Sequence, residues 1–443
     1  MVKIFDSLKS KKFYLSMLLI LALFLAGAYS PDLIKYKGMP YTQVLKLKFI
    51  DYLNINPVYN ENLVNEFSSS RYEFNLVRDF KTKGEFQLAI DLKNNVYALE
   101  RHKGDLYFFS NGDLNSAISY GNLFEKLNLP TNGSSNFPPL AMDIHYASDN
   151  LYFSVVVRDE KQKCDFLGIG SAKIDAKVLK IKNQMFFFRS PCISDKTNSV
   201  MWGGRITHNE SNLFVSIGEQ RFDRSGFPKE NLIVKNQLAK NVFGTILAFN
   251  LGDKKWEVFA RGLRNAQGLF WDSDTAQLFE AEHGSYGGDE INLIAKNVNY
   301  GWPYESLGKP YPKKYPSGVD EVNGSKNPRI GVDILTKKFG ARSGVHEKYR
   351  APILSWIPGV GAGNLIKISG KSPLVDWRND LLVAHMGTGS LHRIKFKDGA
   401  VILDENISIG LRIRDLIISN LGIIYFSTDE GHLLSFETFD TLK

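Results

Sequence analysis

Between Leu88 and Glu437 the chain repeats one pattern of apolar and polar positions six times. An apolar strand runs into a short polar turn, and a second apolar strand ends in small or acidic residues. A third strand, often led by glycine, follows. The first copy is LAIDLKNNVYALE (Leu88–Glu100), then GDLYFF. The second is LAMDIHYASDNLYFSVV (Leu140–Val156), and the third is GGRITHNESNLFVSIG (Gly203–Gly218), with GTILAFN later. The fourth is QGLFWDSDTAQLFEAEHG (Gln267–Gly284), then DEINLIA. The fifth is NLIKISGKSPLVDWRNDLLVAHMG (Asn364–Gly387), then GSLHRIKF, and the sixth is IRDLIISNLGIIYFSTDEG (Ile413–Gly431), then HLLSFE. Strands that alternate or run apolar, joined by turns of Asn, Asp, Ser or Gly, read as antiparallel hairpins. One small sheet cannot bury both of its faces. Six sheets set around an axis cover one another and leave only short edges. The pattern therefore predicts an all-β, six-bladed β-propeller over residues 81–443. Six copies are too many for a single β-sandwich.

The copies are unevenly spaced. The widest gap, Trp302 to Ser355, is rich in Pro, Gly and Tyr and reads as a long loop over one face. Residues 31–80 read as a linker with one short helix at YTQVLKLKFIDYL (Tyr41–Leu53). Residues 1–30 differ in kind. Lys9, Lys11 and Lys12 precede an uncharged stretch from Phe13 to Ser30, the pattern of a membrane-targeting segment. It leaves two readings. Ala26-Gly27-Ala28 suits a cleaved signal peptide, and the apolar length approaches the ~20 residues of a transmembrane anchor. Either way the body of the chain is expected outside the cytoplasm, in the periplasm or an equivalent compartment, secreted or anchored to the membrane. No Cys follows the apolar run, so a lipoprotein anchor is not expected.

Composition changes this picture little. Hydrophobic content of 43% and charged content of 23% suit a chain that buries a large core. The net charge is +8, but no long Lys/Arg run marks the body, so nucleic acid is not an expected partner. The two cysteines, Cys164 and Cys192, either pair in an oxidising compartment or stand as separate buried thiols.

Candidate chemistry gathers at the strand ends of the fourth and sixth copies. Arg264, Asn265 and Gln267 precede one strand; Glu282, His283, Asp289 and Glu290 follow the next. Arg412, Arg414 and Asp415 open the sixth copy. Loops from several blades converge on a propeller's axis, and two Arg clusters there point to an anionic ligand, because Arg pairs grip carboxylates.

GLRNAQGLFWD, EAEHGSYGGDEINLI and NYGWP, with SLHRIKF and RIRDLI, resemble the glucose/sorbosone dehydrogenase family over roughly Leu88 to Glu437. That resemblance implies a six-bladed propeller that uses pyrroloquinoline quinone (PQQ) and calcium to oxidise sugars outside the cytoplasm. It implies that Arg264, Asn265 and Gln267 contact the quinone, that Arg412 and Arg414 hold its carboxylates, and that His392 stands for a cofactor-binding lysine. It further implies that Gly284 and Ser285 lend backbone carbonyls to Ca2+. PQQ carries three carboxylates, so a rim of cations suits it, and calcium suits hard oxygen donors.

The chain departs from the family at one decisive place. The family's general base is a His just before a GGR or SGR strand; here the stretch is SVMWGGRI, with Met201 in that position. Methionine cannot accept a proton, and loss of a positioned base costs roughly 10²–10⁴ in rate. No His lies between Ala147 and Arg205 to replace it. His145 is a mid-strand residue, His208 a turn residue and His283 a lining residue. The expected function is a PQQ- and calcium-dependent aldose dehydrogenase acting on a sugar or other polyol, its electron acceptor unidentified and its usual base missing. The alternative is an inactive propeller that binds a sugar, a polymer or a protein partner.

Overall fold

The computed structural model describes residues 66–68, 72–81, 84–131, 133, 138–175, 178–181, 186–193, 201–220, 241–285, 287–308, 342–397 and 400–440. The membrane-targeting segment and the expected helix at Tyr41–Leu53 lie outside them. No helix of the described residues is long and apolar enough to cross a membrane.

The six copies become six antiparallel sheets, numbered here as blades 1 to 6. Their first strands are Phe86–Ile90, Leu140–Ala147, Gly203–His208, Ala266–Asp272, Ala362–Lys367 and Ile413–Ile418. Each touches the first strand of the next blade, and the sixth touches the first, so the ring closes. Between neighbouring blades lie six apolar seams. Leu99 and Phe124 meet Phe153 between blades 1 and 2. Trp202 and Leu247 meet Leu167 between blades 2 and 3, and Phe214 meets Leu278 between blades 3 and 4. Phe279 meets Val383, Leu382 meets Phe426, and Tyr425 meets Phe86 across the remaining three. Each seam supplies the second cover that a single sheet lacks.

Two strands join from far away in the sequence. Tyr72–Lys81 pairs with His432–Asp440, and Glu66–Ser68 pairs with Tyr72–Lys81 in turn, so the start of the described chain closes blade 6. The stretch 72–80, read from the sequence as the end of a linker, is therefore a propeller strand. The wide gap after Trp302 also contributes structure. Glu305–Ser306 pairs in parallel with Arg342–Ser343, and Leu354–Trp356 forms the fourth strand of blade 4. A disulfide joins Cys164 to Cys192 in blade 2.

The axis is polar. Gln87, Asp143, Arg205, Gln267, Asn364 and Asp415 take the corresponding place on the six first strands, and in blades 2 to 6 that place falls at a break in register. Such bulges re-aim a side chain. Arg205, 3% exposed, donates to Gln87 Oε1 (3.0 Å), Asp143 Oδ1 (3.1 Å), the Gln267 carbonyl (2.7 Å) and the Arg414 carbonyl (3.1 Å), and pairs with Asp415 Oδ1 (3.1 Å). Asp415 also accepts from Asn364 Nδ2 (2.6 Å) and from the Leu88 amide (2.7 Å). One arginine and two aspartates thus tie all six blades together.

Candidate active site

The connections into the first strands and out of the second strands all open at one end of the propeller. The turn Arg261 to Asn265 links blade 3 to blade 4 there. Gly262 takes φ 75°, and a Cβ on it would lie 2.1 Å from Asn299 Oδ1, so only glycine fits this close approach. The turn delivers Arg264, 2% exposed, to the end of blade 4. Its Nη1 donates to the carbonyls of His283 (2.7 Å) and Gly284 (2.5 Å), and its Nη2 lies 3.8 Å from Met201 Sδ. The guanidinium carbon sits 5.3 Å above the Trp302 ring.

Carboxylates shape the turn that follows. Asp289 accepts from the amides of Gly284 (2.9 Å), Val360 (2.9 Å), Gly361 (2.6 Å) and Ala362 (3.3 Å). Glu282 Oε2 accepts from the amides of Arg264 (2.5 Å) and Asn265 (3.2 Å). Gly284 packs so closely under the backbone of Gly287 and Gly288 that a Cβ would fall 2.2 Å from a carbonyl. Beneath the turn, Glu282 faces Glu290 and Glu280 faces Asn292 across adjacent strands. Burial raises the Glu282 carboxyl to about 7, with Asp289 adding to the effect. Burial and the Glu282 charge push Glu280 and Glu290 well above the usual carboxylate range.

Blades 6 and 1 complete the rim. Asp429, at the end of the second strand of blade 6, accepts from Arg412 Nε (2.9 Å) and Arg414 Nε (2.6 Å) and so holds the two side by side. Arg412 Nη1 donates to the Met386 carbonyl (3.1 Å). Arg414 also pairs with Glu85 (3.2 Å), which Arg101 (3.1 Å) and His102 (3.4 Å) share. Glu85 is partly desolvated, yet its hydrogen bond with His102 and the Arg414 and Arg101 charges hold its carboxyl down at about 2. Arg101 Nε is buried with no partner among the described residues. Burial, then the Arg414 charge, lowers the Arg101 guanidinium to about 10, still charged at neutral pH.

The structure therefore brings Arg264, Asn265, Gly284, Ser285, Arg412 and Arg414 to one end of the molecule, with Met201 buried against Arg264. Gln267 is one step further in. Its carbonyl serves Arg205 and its side chain bonds Asn265 Oδ1 (3.1 Å). His392 is the third residue of the third strand of blade 5, two residues in from that strand's start at the same end, with its ring 4.0 Å from that of His385 and edge-on to Trp356, and its Nδ1 bonds Asp404. His145 is remote. It lies beyond the axial Asp143, towards the far end of its strand, and its Nε2 meets His208 Nδ1 at 2.7 Å. Burial lowers the His145 imidazole to about 3. Glu85, Arg101, His102 and Asp429 were missed in the sequence. A usable signal existed: ALERHKG and STDEG stand where the fourth copy has EAEHG, at the end of a second strand.

A glucose/sorbosone dehydrogenase family model matches residues 89–435. The aldose sugar dehydrogenase YliI of Escherichia coli is 25% identical over 296 residues, covering 60% of this chain and 67% of that protein. An uncharacterised Synechocystis protein is 32% identical over 186 residues, which span only 39% of its own length. The crystal structure of the soluble aldose sugar dehydrogenase of E. coli in its apo form superposes with a TM-score of 0.61 at 19% identity, over 83% of this chain and 99% of that one. The PQQ-bound aldose sugar dehydrogenase of Streptomyces coelicolor gives a TM-score of 0.57 at 18% identity, over 84% and 99%. These two likenesses establish the shared fold. The family model spans most of the chain, and the chain belongs to the glucose/sorbosone dehydrogenase family.

Proposed function

We propose that this protein binds PQQ at the arginine-rich end of the propeller and oxidises an aldose or related polyol there, outside the cytoplasm. The observation that carries the reading is the rim itself. Arg101, Arg264, Arg412 and Arg414 come from three blades to one end, and the buried Nε of Arg101 is a donor with no acceptor among the described residues. That donor set fits a planar ligand edged with carboxylates. When bound, PQQ supplies a two-electron quinone that takes hydride from a sugar carbon. The chain's own part is to hold the carboxylates through Arg412 and Arg414, which Asp429 keeps side by side, and to shield the reacting face with the buried Met201 and Trp302. The Cys164–Cys192 disulfide supports an oxidising compartment, as does the membrane-targeting segment of residues 1–30, cleaved or retained.

Calcium suits the site less well. The Gly284 carbonyl that the resemblance assigns to it accepts from Arg264. The nearby Asp289 and Glu282 are engaged by backbone amides.

Met201 favours a second reading, a propeller that binds the quinone or a sugar without turnover. It is 4% exposed, stands against Arg264 and has no proton-accepting atom. One experiment separates the two. Purified protein is titrated with PQQ while the quinone's absorption is followed, and dye reduction by aldoses is then measured for the wild type and for Met201→His. Binding with turnover, rising at least tenfold in Met201→His, supports the dehydrogenase. Binding without turnover in either protein supports the second reading, and an absence of PQQ binding removes the cofactor assignment.

A further inference from the structure

We infer that the turn at Gly284 carries its own cation, the Arg264 guanidinium, in the place where calcium would stand, so that ligand binding at this end is independent of calcium. The second half of this inference rests on the PQQ reading; the first half does not.

Three observations carry it. Arg264 Nη1 already lies 2.7 Å from the His283 carbonyl and 2.5 Å from the Gly284 carbonyl, so a full positive charge occupies the concave side of the turn. The guanidinium is fixed there on its other sides by the Trp302 ring (5.3 Å) and by Met201 Sδ (3.8 Å), and the residue is only 2% exposed.

The two carboxylates nearest the turn already accept from backbone amides. Calcium takes about six to eight oxygen ligands. Asp289 accepts four backbone amides and Glu282 accepts two. Among the described residues no three His, Cys, Asp or Glu side chains converge as a metal set.

Finally, a calcium ion bonded to the Gly284 carbonyl would share that oxygen with a guanidinium nitrogen. Two cations would then stand in direct repulsion within a site of low dielectric. The residues at this turn take an internal arginine and do not take calcium as well.

Terbium luminescence provides the test. Tb3+ mimics Ca2+, and Trp302 lines the same pocket as Arg264 and Gly284, so it is a local antenna. Full-length protein is titrated with Tb3+ under excitation of tryptophan, with Ca2+ as competitor and Trp302→Phe as the control for this site. The wild type is expected to give no Trp302-dependent, Ca2+-competed emission. Arg264→Ala, which vacates the turn, is expected to gain it. Emission in the wild type that Ca2+ abolishes and Trp302→Phe lacks would overturn the inference. In parallel, PQQ binding is measured in excess EDTA and in millimolar Ca2+. Equal affinity in both supports calcium independence, and binding seen only with Ca2+ overturns it. Failure to bind PQQ in either buffer removes the proposed function and leaves the terbium result to decide the cation.

Discussion

Arg205 and Arg264 are both buried, both stand at or next to the first strand of their blades, and lie on neighbouring blades, 3 and 4. Their surroundings assign them opposite tasks. Arg205 pairs with two carboxylates, Asp143 and Asp415, and its remaining donors go to Gln87 and to two backbone carbonyls. Its charge is consumed in joining blades. Arg264 stands beside three glutamates in blade 4, yet its guanidinium is drawn to the carbonyls of His283 and Gly284, to a thioether and to an aromatic face. Neutral acceptors of this kind fix the side chain at the turn. The same residue type thus serves as a bolt at mid-depth and as an electrostatic feature at the open end. Burial alone does not separate the two roles; the chemistry of the partners does.

The sharpest way to break the comparison is to remove each arginine in turn. Arg205→Met leaves Asp143 and Asp415 buried without their cation, so it is expected to lower unfolding stability by about 3–5 kcal/mol, measured by urea denaturation. Adding Asp143→Asn to that variant should recover part of the loss. A loss below about 1 kcal/mol would show that the axial cluster is not what holds the blades together. Arg264→Met should do the reverse. Stability is expected to change by about 1 kcal/mol or less, while PQQ affinity falls roughly tenfold or more, the effect of losing one charged hydrogen-bond donor. Equal stability losses in the two variants would erase the distinction between bolt and ligand site.

The bolt was more legible in the sequence than it first looked. In the six copies a polar residue stands where QLAI, DIHY, RITH, QGLF, NLIK and DLII begin, so Gln87, Asp143, Arg205, Gln267, Asn364 and Asp415 line up once the copies are superposed. Repeats expose such positions because every blade solves the same packing problem. The closing strand Tyr72–Lys81 was not legible. It carries Glu73, Arg78 and Asp79 among its apolar residues, and its partner lies some 350 residues away at His432–Asp440. Blade 4 hid its fourth strand for a similar reason, since Leu354–Trp356 follows a long insertion. At the rim, Arg412 and Arg414 were found from their motif, but their clamp needs Glu85 and Asp429. Glu85 becomes their neighbour only when the ring closes.

A smaller effect sharpens the contrast between the two clusters through pH. Buried carboxylates whose folded pKa is raised stabilise the fold fully below their unfolded value near 4.5 and lose that contribution as pH rises through the folded value. For each such group the loss is about 1.4 kcal/mol per pH unit. Asp143, at the axis, and Glu282, under Arg264, both stop contributing near pH 7, whereas Glu280 and Glu290 are raised further by burial and by the charges of their neighbours. The buried imidazoles act in the opposite direction. His145, lowered to about 3, and His385, lowered to about 2, cost stability as pH falls below 6.5 and are silent above it. The two sets oppose each other between about pH 4.5 and 6.5, but the four carboxylates outnumber the two imidazoles, so stability should decline there as pH rises, less steeply than the carboxylates alone would dictate. Above pH 6.5 the imidazoles no longer offset the carboxylates, so the decline should steepen as pH approaches 7, where Asp143 and Glu282 titrate. Glu280→Gln keeps the side chain's shape and removes one of those protons, so it should flatten the decline between pH 5 and 6 by up to about 1.4 kcal/mol per unit. Urea titrations at the two pH values check this. An unchanged slope in Glu280→Gln would mean that Glu280 stays ionised in the folded protein, and burial would then not set the protonation of the ladder.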